Sequence, residues 1–247
     1  MDGKVALVTG GSRGLGRAMS QAFADAGANV VVASRKRDAC VALAEELTER
    51  TGNDALGTSC HVGRWEDCDR LVDEVMERYG RIDVLVNNAG LSPQYPSLPE
   101  VTEELFDKVI AVNLRGAFRL SSLAGPIMAE RGGGSIINIS SIAAIQPDPM
   151  SLPYAAAKAG LHAITLGMVR AFGPSVRVNA IVPGLFLTDI SEAWDPDEHQ
   201  RTVEDELPLR RAGQPQEIVG AAMYFATQDS SYSTGALLKV DGGLARG

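Results

Sequence analysis

Tyr154 and Lys158 stand four residues apart in the run LPYAAAKAGLHAI. On a helix that spacing puts both side chains on one face. The ammonium can then stand beside the phenol and favour its phenolate, which gives a proton donor and acceptor usable near neutral pH. A lone YxxxK is weak evidence, because surface helices carry the same pattern by chance. Its meaning depends on what accompanies it.

A glycine-rich turn, Thr9 to Gly16 (TGGSRGLG), follows an apolar β-branched run and opens an amphipathic stretch. Backbone N–H groups around such a turn, together with the positive end of the following helix, can hold a pyrophosphate. Glycine is required because a side chain would block the approach. About 20 residues further on, dinucleotide folds that bind NAD place an acid on the ribose 2′-hydroxyl. Here the chain reads Ala33-Ser34-Arg35-Lys36-Arg37, with no acid. Arg35, joined by Arg13 from the turn, suits an anionic 2′-phosphate. The expected cofactor is therefore NADP, with NAD less favoured.

These residues need a scaffold, and the pattern around them supplies one. Short β-branched runs at 5–9, 30–34, 55–62, 82–87, 135–140, 176–182 and 236–240 alternate with helix-like stretches at 14–27, 37–51, 66–79, 102–131, 152–172 and 215–228. Strand and helix taking turns imply right-handed crossovers and a parallel sheet covered on both faces. The expected fold is α/β, a doubly wound, Rossmann-like parallel sheet of about seven strands in a single domain over residues 1–247. One acidic excursion, residues 185–215, is long enough to predict a substrate lid. Its amphipathic centre at Ile190–Trp194 and the prolines at 196, 208 and 215 suggest hinge-like boundaries.

Composition excludes several classes. The net charge of −8, with no basic tract, argues against nucleic acid and anionic membrane surfaces as partners. No signal peptide or membrane-length apolar run is present, so a cytoplasmic location is expected. Cys40, Cys60 and Cys68 are odd in number and lack paired spacing, and His61, His162 and His199 are scattered, so neither a disulfide framework nor a metal site is predicted.

TGGSRGLG, NNAG at Asn87–Gly90, Asn113 within AVNLRG, Ser141, the Tyr154/Lys158 pair and Pro183-Gly184 occur in the order and spacing of a known family. Over essentially its whole length the chain resembles the classical branch of the short-chain dehydrogenases/reductases. TGALLKVDGG, from Thr234 to Gly243, resembles that family's last strand and tail. The resemblance implies that Tyr154 is the acid/base, and that Lys158 lowers its pKa and binds the nicotinamide ribose. It also implies that Ser141 holds the substrate oxygen, chosen over Ser140 for its thirteen-residue spacing to the tyrosine, and that Asn113 uses its backbone to hold a water linking Lys158 to solvent. Cofactor contacts would come from Gly10, Ser12, Arg13, Gly14, Leu15, Gly16, Ser34, Arg35, Val62, Asn88, Ala89, Gly90, Tyr154, Lys158, Pro183, Gly184 and Thr188. Asn87 and Asn88 read chiefly as structural ties.

Two departures stand out. His61 takes the place of an acid that meets adenine in the family, and Pro147, Pro149 and Pro153 stiffen the segment between Ser141 and Tyr154. Trp194, Phe186 and Met150 are candidates for the pocket lining, against the plainer reading of core packing.

The implied activity is interconversion of a secondary alcohol and a ketone, on a small carbonyl or alcohol substrate, by a homotetramer or homodimer built through the helices at 102–131 and 152–172. One alternative is a family member using NAD. Another reduces a 3-ketoacyl thioester on an acidic acyl carrier protein, for which Arg115, Arg119 and Arg131 would form the docking face. A third, a non-catalytic dinucleotide-binding regulator, is disfavoured because all four catalytic-type residues are present.

Overall fold

The computed structural model describes residues 1–188 and 203–245. The proposed lid centre at Ile190–Trp194, with Pro196, lies outside the described residues.

Strand β1 (Val5–Thr9) shows how the sheet is built. All five of its residues are buried. Val5 and Leu7 enter one apolar cluster, while Ala6 and Val8 enter another on the opposite face. That alternation is the two-residue period of a strand covered on both sides. The remaining strands are β2 (Asn29–Ser34), β3 (Ala55–Ser59), β4 (Val84–Asn87), β5 (Gly134–Ile139), β6 (Val176–Pro183) and β7 (Leu237–Val240). Every pairing is parallel, in the spatial order β3-β2-β1-β4-β5-β6-β7. The order reverses direction between β1 and β4, so the crevice outside their carboxyl ends is where such a sheet receives ligands.

Helices α1 (Gly14–Asp25) and α2 (Arg37–Thr51) cover one face, with α7 (Val219–Ala226) beside them. Met19, Phe23, Leu43, Leu47 and Phe225 are their buried contributions. The other face is covered by α3 (Trp65–Tyr79), α5 (Gly116–Glu130) and α6 (Leu152–Phe172), through Leu71, Val75, Leu120, Met128 and Met168. Each such side chain contributes about 1.5–3 kcal/mol of burial, which makes the sheet a stiff platform for the loops at its carboxyl edge.

One predicted element differs in kind. The stretch 102–131 is three pieces: α4 (Glu103–Ile110), a π-helical turn (Ala111–Arg115) and α5. A single inserted residue per turn is invisible to a 3.6-residue hydrophobic period. The run 55–62 also ends early, at Ser59, so Cys60–Val62 belong to the loop. The helix expected at 215–228 starts as a 3-10 turn (Pro215–Ile218) and ends at Ala226. None of the helices among the described residues is long and apolar enough to cross a membrane.

Candidate active site

The turn between β1 and α1 is locked by close packing. Gly10 and Gly14 have φ of 62° and 49°, the left-handed region that favours glycine. A Cβ on Gly16 would sit 2.1 Å from the Gly10 carbonyl oxygen and 2.6 Å from Asn88 Nδ2. Asn88 Nδ2 donates to the carbonyls of Thr9 and Gly10 at 2.9 and 3.2 Å. The Thr9 hydroxyl accepts the N–H groups of Asn88 and Ala89 at 3.0 and 3.1 Å. Asn88 thus ties the end of β4 to the glycine turn. Thr9 is a hub that sequence reasoning missed; its only signal was a hydroxyl ending an otherwise apolar strand.

Helix α1 has no acid in its first turn and no side chain capping its N-terminus, which suits it to an anion. A Cβ on Gly14 would meet Thr188 Cγ2 at 3.4 Å, so Thr188 stands at the glycine turn. Leu15 is half-buried beside it. Ser12 Oγ donates to Ser34 Oγ at 3.0 Å, which sets the exposed Arg13 and Arg35 on adjoining backbones. The uncapped, acid-free helix N-terminus behind a tightly packed glycine turn fits the pyrophosphate of a dinucleotide.

On the β3 side, His61 accepts the Gly63 N–H on Nδ1 at 3.2 Å, and its own N–H donates to Asp67 Oδ2 at 2.9 Å. His61 closes a turn there. The Val62 carbonyl accepts the buried Cys68 thiol at 3.4 Å, so that carbonyl is committed to the core. All three cysteines are free and buried.

Asn113 sits in the π-turn, which aims its amide inward. Nδ2 donates to the carbonyls of Leu91 and Val109 at 2.8 and 3.0 Å, and Oδ1 accepts the Leu91 N–H at 3.2 Å. A Cβ on Gly90 would lie 2.9 Å from Asn113 Oδ1 and 3.8 Å from Lys158 Nζ. Asn113 and Lys158 therefore converge on the open side of Gly90. Beneath them Asn87 Nδ2 donates to Ser121 Oγ and Asn138 Oδ1, and Asn138 donates to Thr165 Oγ1. This buried polar chain registers β4, β5, α5 and α6.

Tyr154 and Lys158 occupy successive turns of α6, which packs against β6. Lys158 is 3 % exposed, and its ammonium donates to the Ile139 carbonyl at 2.7 Å. Nζ lies 5.6 Å from the centre of the Tyr154 ring. Burial holds the lysine down to about 8. It pushes the Tyr154 phenol above its ordinary value, opposed by a hydrogen bond with Ser141. The depression of the phenol by Lys158 expected from the sequence is thus opposed by burial. A buried ammonium must be hydrogen-bonded, and the carbonyl at the end of β5 meets that need. Ser141 faces the tyrosine and also accepts the Ala143 N–H at 3.2 Å, whereas Ser140 is buried and bonds His162.

The segment between Ser141 and Tyr154 is anchored by Tyr95, also missed from the sequence because it lies among prolines in a loop. Its hydroxyl donates to the Pro149 carbonyl at 2.7 Å and accepts the Leu152 N–H at 2.9 Å. Met150 is exposed, Phe186 is buried in the core, and Trp194 lies outside the described residues. Gly184 donates its N–H to the Val240 carbonyl at 3.0 Å, and a Cβ on it would come within 2.7 Å of Asp241 Cα. Pro183-Gly184 therefore ends β6 where the chain after β7 crosses it.

A family model described as enoyl-(acyl carrier protein) reductase matches residues 10–245. Dehydrogenase/reductase SDR family member 4 of Bos taurus is 39% identical over 245 residues, 98% of this chain and 88% of the relative. The 3-oxoacyl-(acyl-carrier-protein) reductase of Thermotoga maritima is 36% identical over 248 residues, covering 99% and 98%. Among solved structures, the NADPH-dependent 3-quinuclidinone reductase of Rhodotorula rubra is similar with a TM-score of 0.94 at 30% identity, over 99% of this chain and 92% of that one.

Proposed function

The chain belongs to the short-chain dehydrogenase/reductase family of oxidoreductases, which use NAD(P), and from this we propose that it is an NADP(H)-preferring enzyme interconverting a small secondary alcohol and its ketone. The observation that carries the reading is the convergence of Ser141, Tyr154 and Lys158 at the carboxyl end of β5. When bound, the nicotinamide supplies or accepts the hydride. In reduction the Ser141 hydroxyl orients and polarises the carbonyl oxygen, and the Tyr154 phenol donates its proton to that oxygen. In oxidation the same phenol, as phenolate, takes the proton back. Lys158 supplies positive charge beside the phenol and would hold the nicotinamide ribose, and Asn113 fixes the segment after β4 through both backbone groups of Leu91. The glycine turn, with Thr188, would hold the pyrophosphate, and Asn88, Ala89 and Gly90 would leave room for the ribose.

Support for NADP over NAD comes from the basic residues that follow the linked Ser12 and Ser34, and from the NADPH dependence of the quinuclidinone reductase. Residues 185–215 are read as the substrate lid. Their described ends are tied together, Leu187 N–H to the Gly213 carbonyl and Gly213 N–H to the Leu185 carbonyl, both at 2.9 Å. Val203 and Leu207 pack with Leu185 near Ile142, next to Ser141. We also propose a homodimer or homotetramer in the cytoplasm.

A second reading, reduction of a carrier-borne 3-ketoacyl thioester, is favoured by the likeness to the Thermotoga maritima enzyme. Against it, Arg119 is engaged by Asp69 at 2.5 Å and stacked over Trp65, and Arg115 donates to the Gly63 carbonyl at 2.6 Å. The proposed basic face is thereby partly neutralised. Turnover of a panel of free ketones and of acyl-carrier thioesters, each with NADPH and with NADH, decides between them. No turnover of any free ketone would sink the first reading.

A further inference from the structure

We propose that His162 is a positioning residue of the catalytic centre: through Ser140 it clamps the stretch 139–141, which carries both the acceptor for Lys158 and the hydroxyl of Ser141. The proposal rests on the assignment of Lys158 and Ser141 to the reaction. His162 lies one turn beyond Lys158 on α6, and its Nε2 is 2.7 Å from Ser140 Oγ. The same hydroxyl can donate to the Lys158 carbonyl at 3.5 Å, and the Ser140 N–H donates to the Ile181 carbonyl at 2.8 Å. Ser140 is therefore held by β6 on one side and by two successive turns of α6 on the other.

Its chain neighbours are the groups that matter. The Ile139 carbonyl accepts the Lys158 ammonium at 2.7 Å, and Ser141 hydrogen-bonds Tyr154. Losing the imidazole leaves a buried hydroxyl with one long contact and lets residues 139–141 shift. Such a shift would move the lysine's anchor and the substrate-holding serine together, and small misplacements of reacting groups are costly.

The clamp is also sensitive to pH. A neutral imidazole can donate to or accept from Ser140, whereas an imidazolium can only donate. Burial and the Lys158 charge both hold His162 below its ordinary value. Lys158, on the same helix, is the charged group acting on it; the residue just past β5 presents the Ser140 hydroxyl, and no carboxylate among the described residues shifts it. Protonation would add a second positive charge beside the lysine.

His162→Leu removes the bond. His162→Gln places an amide near the position of Nε2 and does not titrate. In NADPH-dependent reduction of a ketone the wild type accepts, the Leu variant should lose about tenfold or more in kcat while binding NADPH, followed by nucleotide fluorescence, within about twofold of wild type. The Gln variant should recover most of kcat at neutral pH and lose the acidic limb of the profile, which the lowered His162 places below its ordinary value of 6.5. Wild-type kcat in the Leu variant, or an unchanged acidic limb in the Gln variant, overturns the proposal. NMR titration of His162 in the cofactor-free protein needs no turnover: the imidazole should titrate below the ordinary histidine range and move up in Lys158→Met. An ordinary value that ignores Lys158→Met removes the coupling, even if no substrate has been found. Absence of turnover in the wild type counts only against the function.

Discussion

The Ser12 hydroxyl donates to the Ser34 hydroxyl at 3.0 Å, bridging the β1–α1 turn and the end of β2. Arg13 and Arg35 are the next residues on each side, both exposed. The bond fixes the spacing from which two guanidinium groups can share one phosphate.

Arg35→Ala should therefore weaken NADPH by about 1.5–3 kcal/mol, the range for a lost charge-assisted contact, and leave NADH nearly unchanged. Dissociation constants for both cofactors check this. Equal weakening of the two, or a wild-type preference for NADH, contradicts the assignment.

Tyr154→Phe removes the proton donor and little else. Its kcat should fall on the order of 10²-fold or more with cofactor affinity nearly intact. Near-wild-type turnover on any accepted ketone would show that another group delivers the proton.

Titration of the phenol has a definite sign. Because burial raises Tyr154 above its ordinary value of 10.0, the cofactor-free protein keeps it protonated throughout the neutral range, ready to donate in reduction but not yet a base for oxidation. The tyrosinate absorbance of wild type minus Tyr154→Phe should appear only at strongly alkaline pH. A transition near neutrality would restore the depression by Lys158 expected from the sequence.

Lys158 carries a stability cost. Its folded value, about 8 against 10.5 unfolded, means that the unfolded chain binds the extra proton between those limits. Stability from this group thus rises with pH across that window, and the penalty is complete below it. Lys158→Met should raise stability at pH 7 by about 1–3 kcal/mol, with the gain shrinking towards pH 10.5, while activity is lost. Denaturant midpoints across this range test it; a variant less stable than wild type at pH 7 would show that the Ile139 hydrogen bond outweighs the cost of burial.

The architecture was legible because the inner strands, β1, β2, β4, β5 and β6, are apolar runs buried almost throughout, a pattern written residue by residue, while the weaker run at 55–62 and the exposed β7 mark the two edges of the sheet. Of the candidate catalytic side chains, Tyr154 and Lys158 stand out in the sequence by their short spacing and Ser141 by its place just past β5, whereas Asn113 was drawn from the resemblance alone. What the sequence hid were effects of contact between distant segments. The π-turn at Asn113 is a one-residue change in helical pitch. Tyr95 gains its purpose only when the loop after β4 folds back 54 residues onto Pro149. The Lys158 ammonium's partner is a backbone carbonyl, and composition cannot encode that choice.

The glycine turn bears on how this protein could change. Residues 10 and 16 have no room for even a methyl group, because the Gly10 carbonyl and Asn88 already occupy the space. Residues 13 and 35 project into solvent from the same turn and strand end. Folding is thus written in positions that cannot vary, and the proposed nucleotide preference in positions that can. A lineage, or a mutant library, could exchange one cofactor for the other through a few surface substitutions while leaving the scaffold that holds either one unaltered.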